Sequence, residues 1–248
     1  MAKLRHIAFI VKNPKKLYDF YHHLFGLEQV RVSPNGSVHV IDGLFNLAFL
    51  QQTNSAAEVV NTHRADGHEV NQTQGINHYG FVVDNLESVL SRLDASVKRG
   101  RSPQNGRPAE MRIIDPWGNN FDLASKGFLG REERGLPGIR YVVVQSATPD
   151  LAADFYKSVL DLREVRRGAD GTIVLSDGDV SLALTPEQTI GKSGIQYFGI
   201  HVPDWASTTA RFRELGMGLS VPGGAEAEVR VSDPEGNLFV LSEKGWQN

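Results

Sequence analysis

The chain has 248 residues and not one cysteine. Disulfide frameworks, thiolate metal sites and cysteine nucleophiles are therefore excluded, and any bound metal must be held by His, Asp or Glu. No charge of either sign dominates: 26 Lys and Arg stand against 29 Asp and Glu, for a net charge of −3. Nothing in that balance offers the basic footprint needed by nucleic acid or an anionic membrane. No apolar run approaches the roughly 18 residues of a membrane helix, and Met1–His6 leads straight into an alternating strand with no signal-peptide core. The expectation is a cytoplasmic protein whose partners are small molecules.

What is present is a repeat. Asp115-Pro116-Trp117-Gly118-Asn119-Asn120-Phe121-Asp122-Leu123 recurs 118 positions later as Asp233-Pro234-Glu235-Gly236-Asn237-Leu238-Phe239-Val240-Leu241. Asp-Pro-x-Gly-Asn is turn chemistry: proline pre-sets φ and glycine accepts a positive φ, so the flanking apolar residues read as the arms of a hairpin. Further matches tie Asp19–Phe25 to Asp154–Leu160 at an offset of 135, and His78–Phe81 to Tyr197–Ile200 at 119.

Each match sits in a similar order of elements. Arg5–Val11 alternates as a strand, Pro14 opens a helix with Leu17, Phe20, Tyr21 and Leu24 on one face, and Gly26 stops it. Strands at Val38–Ile41 and Phe45–Leu50 follow around an Asp42-Gly43 turn. His78–Val83, a short helix over Asn85–Leu93, and the hairpin of Met111–Ile114 with Asn120–Ala124 make a second unit. Four βαβββ units result. The fold class is α+β, with two tandem domains, each a curved mixed sheet of paired units around a trough. The boundaries expected are residues 1–126 and 138–248, joined by a linker over 127–137. The polar stretch 51–74, which carries His63 and His68, shows no clear period.

Paired βαβββ units, the run Phe20-Tyr21-His22-His23-Leu24-Phe25-Gly26-Leu27 and the Asp-Pro-x-Gly-Asn turn together resemble the vicinal oxygen chelate superfamily. That superfamily includes glyoxalase I, fosfomycin-resistance transferases, bleomycin-binding proteins and type I extradiol dioxygenases. The resemblance spans nearly the whole chain. It implies a divalent metal in a trough, held from first and last strands of units, which here offer His6, His78 and Asp122. Counting by two, His6 shares a face with Ala8 and Ile10, His78 with Gly80, and Asp122 points opposite to Phe121 and Leu123.

Two imidazoles and one carboxylate with open positions suit Fe(II), with Mn(II) or another divalent metal as alternative. Ala48 stands where a glyoxalase-type fourth ligand would come from. The matching positions of the second half are Tyr141, Tyr197 and Val240, which hold no metal. Reflection about Trp117 puts Arg112 opposite Asp122, where it either orients that carboxylate or meets an anionic substrate. Extradiol dioxygenases usually have a tyrosine at this place, and the nearest match for their acid–base histidine is His63.

The function implied is a mononuclear metal enzyme acting on a small substrate with vicinal oxygens, such as an aromatic diol. Oxygenative extradiol-type ring cleavage with O2 is favoured. A glyoxalase-like lyase or isomerase, and a metal-free protein that sequesters a drug or toxin, are the alternatives. A homo-oligomer with units exchanged between chains stays open beside pairing within one chain.

Overall fold

The computed structural model describes residues 1–52, 74–101, 108–187, 194–222 and 227–246. The first unit comprises β1 (Lys3–Val11), α1 (Pro14–Phe25), β2 (Glu28–Val32), β3 (Val38–Ile41) and β4 (Asn46–Gln51). The second comprises β5 (Gly75–Val82), α2 (Leu86–Ser91), β6 (Lys98–Arg101), β7 (Met111–Ile114) and β8 (Asn120–Ala124). The third runs through β9 (Gly138–Ser146), α3 (Pro149–Leu160), β10 (Arg163–Arg167), β11 (Ile173–Ser176) and β12 (Ser181–Pro186), and the fourth through β13 (Gly194–His201), α4 (Trp205–Glu214), β14 (Glu228–Ser232) and β15 (Leu238–Ser242).

Local chemistry explains the helix ends. The Asn13 side chain accepts the Lys16 amide, Pro14 occupies the first turn, and Gly26 at φ 69° returns its amide to the His22 carbonyl. The β3–β4 connection is held by Asp42, whose Oδ1 accepts the amides of Leu44 and Phe45.

The units pair within the chain. One sheet of eight strands has the order β2-β3-β4-β1-β5-β8-β7-β6, and a second of seven has the order β10-β11-β12-β9-β13-β15-β14. The centre of the first sheet joins β1 to β5 antiparallel, with β4 and β8 parallel on either side. Alternation then sorts the side chains: Phe121 and Leu123 are fully buried in the core between the halves, and Asp122 points into the trough.

The first helix of each half lies against the other half. Phe20 and Tyr21 of α1 meet Phe239 at 6.2 and 5.8 Å between ring centroids, and Phe25 meets Phe212 at 6.2 Å. Tyr156 of α3 packs on Phe81 and Phe121 in return. A fully buried side chain of this size contributes about 1.5–3 kcal/mol, so these aromatics dominate the contact. Charge ties repeat the exchange. Arg5 donates to Asp177 at 2.9 Å and to Asp179 at 2.7 Å, while Arg140 donates to Asp42 at 3.0 Å.

Candidate metal centre

Strand register places the polar side chains of the first trough in two adjacent rows. Across one row run Asn46, His6, Gly80, Asp122 and Arg112, each opposite the next on neighbouring strands. Across the other run Arg31, His39, Ala48, Ala8 and His78. His6, His78 and Asp122, scattered over 117 positions of sequence, thus stand together: the His6 and His78 ring centroids are 5.4 Å apart, and His78 Nε2 lies 3.3 Å from Asp122 Oδ2.

Both imidazoles are oriented by amide oxygens. Asn46 donates Nδ2 to the Val40 carbonyl at 3.1 Å, which turns its Oδ1 toward His6 Nδ1 at 2.7 Å. His78 Nδ1 lies 2.9 Å from Asn77 Oδ1. Each Nδ1 is therefore the donor, and each neutral ring carries its lone pair on Nε2. This is the outer support that metal-ligating histidines commonly have. Burial first, and then the neighbouring His78, hold His6 well below the ordinary imidazole value.

Arg112 meets Asp122 in a two-pronged pair: Nε donates to Oδ1 at 2.6 Å and Nη2 to Oδ2 at 2.8 Å. Nη2 also reaches His78 Nε2 at 3.1 Å. Burial alone would raise the Asp122 carboxyl, but the Arg112 guanidinium beside it holds it well below the usual carboxylate range. Arg112 Nη2 thus lies against both His78 Nε2 and Asp122 Oδ2, two atoms that face each other across 3.3 Å. The donor chemistry suits a divalent metal, although among the described residues no three His, Asp or Glu side chains enclose an ion-sized space.

The trough encloses a cavity of about 350 Å³ between these residues and a far wall that includes Arg31, Asn35, His39 and Leu50. Phe128 roofs the near end. Its ring stacks on His6 at 4.7 Å and 4°, and the close fit needs Gly80, because a Cβ there would lie 2.6 Å from the Phe128 ring. Phe128 belongs to the stretch that reads as linker in the sequence, although Trp246 repeats it 118 positions on and stacks on Tyr141 at 4.9 Å and 6°.

His39 is likewise marked by no motif in the sequence. It faces the trough directly opposite Ala48, a relation available from reflecting β3 onto β4 about their turn. His63 and His68 lie outside the described residues. His22 is tied to the Leu27 carbonyl at 2.9 Å, His23 to Glu214 at 3.2 Å, and His201 to the Glu243 carbonyl at 3.0 Å, all away from this trough. In the second trough Val240 stands in place of Asp122, and Arg230 lies 5.5 Å from the Tyr197 ring.

The family model for the Glyoxalase/Bleomycin resistance protein/Dioxygenase superfamily matches residues 3–123 and 138–241, and the chain belongs to that superfamily. No curated protein matches the sequence. Among solved structures, the 2,3-dioxygenase LapB from Pseudomonas sp. KL28 is 15% identical with a TM-score of 0.70, over 99% of this chain and 93% of that one. The Mn(II)-bound glyoxalase from Novosphingobium aromaticivorans is 15% identical with a TM-score of 0.71, over 99% and 83%. Homoprotocatechuate 2,3-dioxygenase from Brevibacterium fuscum, in complex with 3,4-dihydroxyphenylacetate, is 11% identical with a TM-score of 0.70, over 98% and 81%. At these identities the likeness is one of fold, and chemistry has to be argued from the site.

Proposed function

We propose that the first half of the chain is a mononuclear metal enzyme in which His6, His78 and Asp122 hold a divalent ion, Fe(II) in the first place and Mn(II) as the alternative. The observation that carries this reading is the pair of imidazoles whose Nδ1 atoms meet Asn46 and Asn77, which turns both Nε2 atoms toward a buried carboxylate, that of His78 being covered by Arg112. A bound metal would lower the pKa of a chelating substrate hydroxyl. The chain's own residues do the rest. Phe128 excludes water above His6, Ala8 and Ala48 leave room for a planar substrate, and Arg112 offers a fixed positive charge at the cavity wall.

The reaction favoured is extradiol-type cleavage of a small aromatic diol by O2, with His63 as the proposed base on the strength of its family distance from His78. Anaerobic purification with metal analysis, followed by O2 uptake against catechols and hydroquinones, tests it. About one ion per chain and O2 consumption with one diol class are expected. A protein that takes up no divalent ion on titration would sink the reading and favour the metal-free binding protein.

His39 favours a second reading, a lyase or isomerase. Ala48 supplies no base, but the imidazole directly opposite it lines the same cavity and can move a proton beside a chelated carbonyl. Substrate C–H exchange in deuterated water without O2, lost in His39→Ala, would select this chemistry. Exchange that persists unchanged would remove His39 from it.

A further inference from the structure

The interactions of Arg112 deepen the metal reading and rest on it. A carboxylate ligand must give at least one oxygen to an ion, yet both oxygens of Asp122 are taken by Arg112, at 2.6 and 2.8 Å. The same Nη2 lies against His78 Nε2, the atom through which that histidine would bind. The guanidinium therefore contacts two of the three proposed ligands at the atoms an ion would use. The pair is well shielded, with side chains 16% and 4% exposed, so solvent screens it poorly. Keeping Arg112 in place beside a divalent ion would set two cations against one carboxylate, and the single lone pair of His78 Nε2 cannot serve both the guanidinium and an ion.

The second half shows where an arginine at this position goes when the acid is missing. Arg230 occupies the place of Arg112 opposite Val240, and its guanidinium lies 5.5 Å from the ring of Tyr197, the residue that replaces His78. The side chain can thus settle without a carboxylate across from it. In the first half Arg112 also lines the cavity, which gives a displaced guanidinium a wall to occupy.

We propose that Arg112 is a resident cation that competes with the metal for Asp122 and His78, so that ion uptake and release of the guanidinium are one exchange. Without metal it completes the site electrically; with metal it turns to the cavity and presents its fork to an anionic group of the substrate. Metal and an anionic substrate then strengthen each other's binding by the same factor.

The test is titration of the metal-free protein with Mn(II) alone, read by the loss of free-ion electron paramagnetic resonance signal, in wild type, Arg112→Met and Arg112→Lys. Competition predicts a dissociation constant roughly 10–100-fold lower in Arg112→Met, about the factor that changes around a ligand carry. Lysine keeps the charge but not the two-pronged geometry, so Arg112→Lys should fall between the two. Should Arg112→Met not fold, Arg112→Lys against wild type gives the same sign. Weaker or unchanged binding in these variants would overturn the competition and leave Arg112 as the residue that orients Asp122, with the metal site intact. If wild type, both variants and Asp122→Asn all bind Mn(II) equally poorly, the metal reading itself falls, and this inference with it.

Discussion

The Tyr156 hydroxyl donates to Asp115 at 2.6 Å, joining the first helix of the second half to the turn that leads into β8, the strand of Asp122, in the first. Its counterpart is Tyr21, which donates to Asp233 at 3.0 Å in the reverse direction. Because the Tyr156 proton is committed to Asp115, the Tyr79 hydroxyl must be the donor in its short contact with Tyr156. Asp115 also accepts the amides of Trp117 and Asn119, so the turn next to β8 is held from both halves of the molecule.

Tyr156→Phe should therefore cost about 1–3 kcal/mol, since it leaves Tyr79 without an acceptor and Asp115 short of a donor in a buried place. Tyr21→Phe should cost less, as no second tyrosine depends on it. Urea unfolding of the two variants measures both, and equal, negligible losses would show that the tyrosines only fill space.

The buried state of His6 sets a pH dependence. Burial holds its pKa below the ordinary value, so the native ring stays neutral while the unfolded one takes up a proton near 6.5. The unfolded state then binds more protons, and the stability present above about pH 6.5 is lost as pH falls toward the native value. The slope from this one group is at most about 1.4 kcal/mol per pH unit. Urea midpoints between pH 7 and 5 should fall in wild type and fall less steeply in His6→Gln. Parallel curves would mean that His6 is accessible to protons in the native state.

Metal content should depend on the first half alone. Asp122→Asn and His78→Ala should each lose nearly all bound ion after dialysis, whereas Val240→Asp should gain none, because Tyr141 and Tyr197 beside it offer no imidazole. A second ion per chain in Val240→Asp would show that the second trough can coordinate by other means.

Gly80→Ala would put a Cβ 2.6 Å from the Phe128 ring and 3.1 Å from His6 Cβ. The ring has to move, at about 1–3 kcal/mol for an overpacked site. Once Phe128 is displaced, removing it costs less, so Phe128→Ala should be milder in the Gly80→Ala background than in wild type. Strict additivity of the two in thermal unfolding would show that Phe128 and Gly80 do not share this contact.

Much of this architecture is legible in the chain because it is written twice. Pro14, Gly26 and the Asp-Pro-x-Gly-Asn turns mark element ends by backbone chemistry, and period-two counting places His6, His78 and Asp122 on one face. The strands Glu28–Val32, Lys98–Arg101 and Arg163–Arg167 were not assigned, because an edge strand rich in charge has no buried face to betray it. Reflection about Trp117 found Arg112 opposite Asp122, yet not that it grips both oxygens and touches His78 as well. Asn46 and Phe128 escaped for a similar reason: a polar or linker residue acquires meaning from neighbours far away in the chain, whereas Asn77 meets the ring next to it only through a side-chain turn that no pattern marks. The ties of Arg5 to Asp177 and Arg140 to Asp42 cross between halves, and no local pattern encodes such pairs.

The alternation along β8 and β15 has a bearing on how this molecule can change over generations. Phe121 and Leu123 correspond to Phe239 and Leu241, all four buried in the shared core, while the residue between them is Asp122 in one copy and Val240 in the other. Substitution at the middle position redraws what a trough can coordinate without disturbing the contacts that keep the copies together. Selection on chemistry and selection on folding thus act on alternate letters of the same strand. A copy can change this residue and still matter to the fold, because its helix and tyrosine remain the other copy's support.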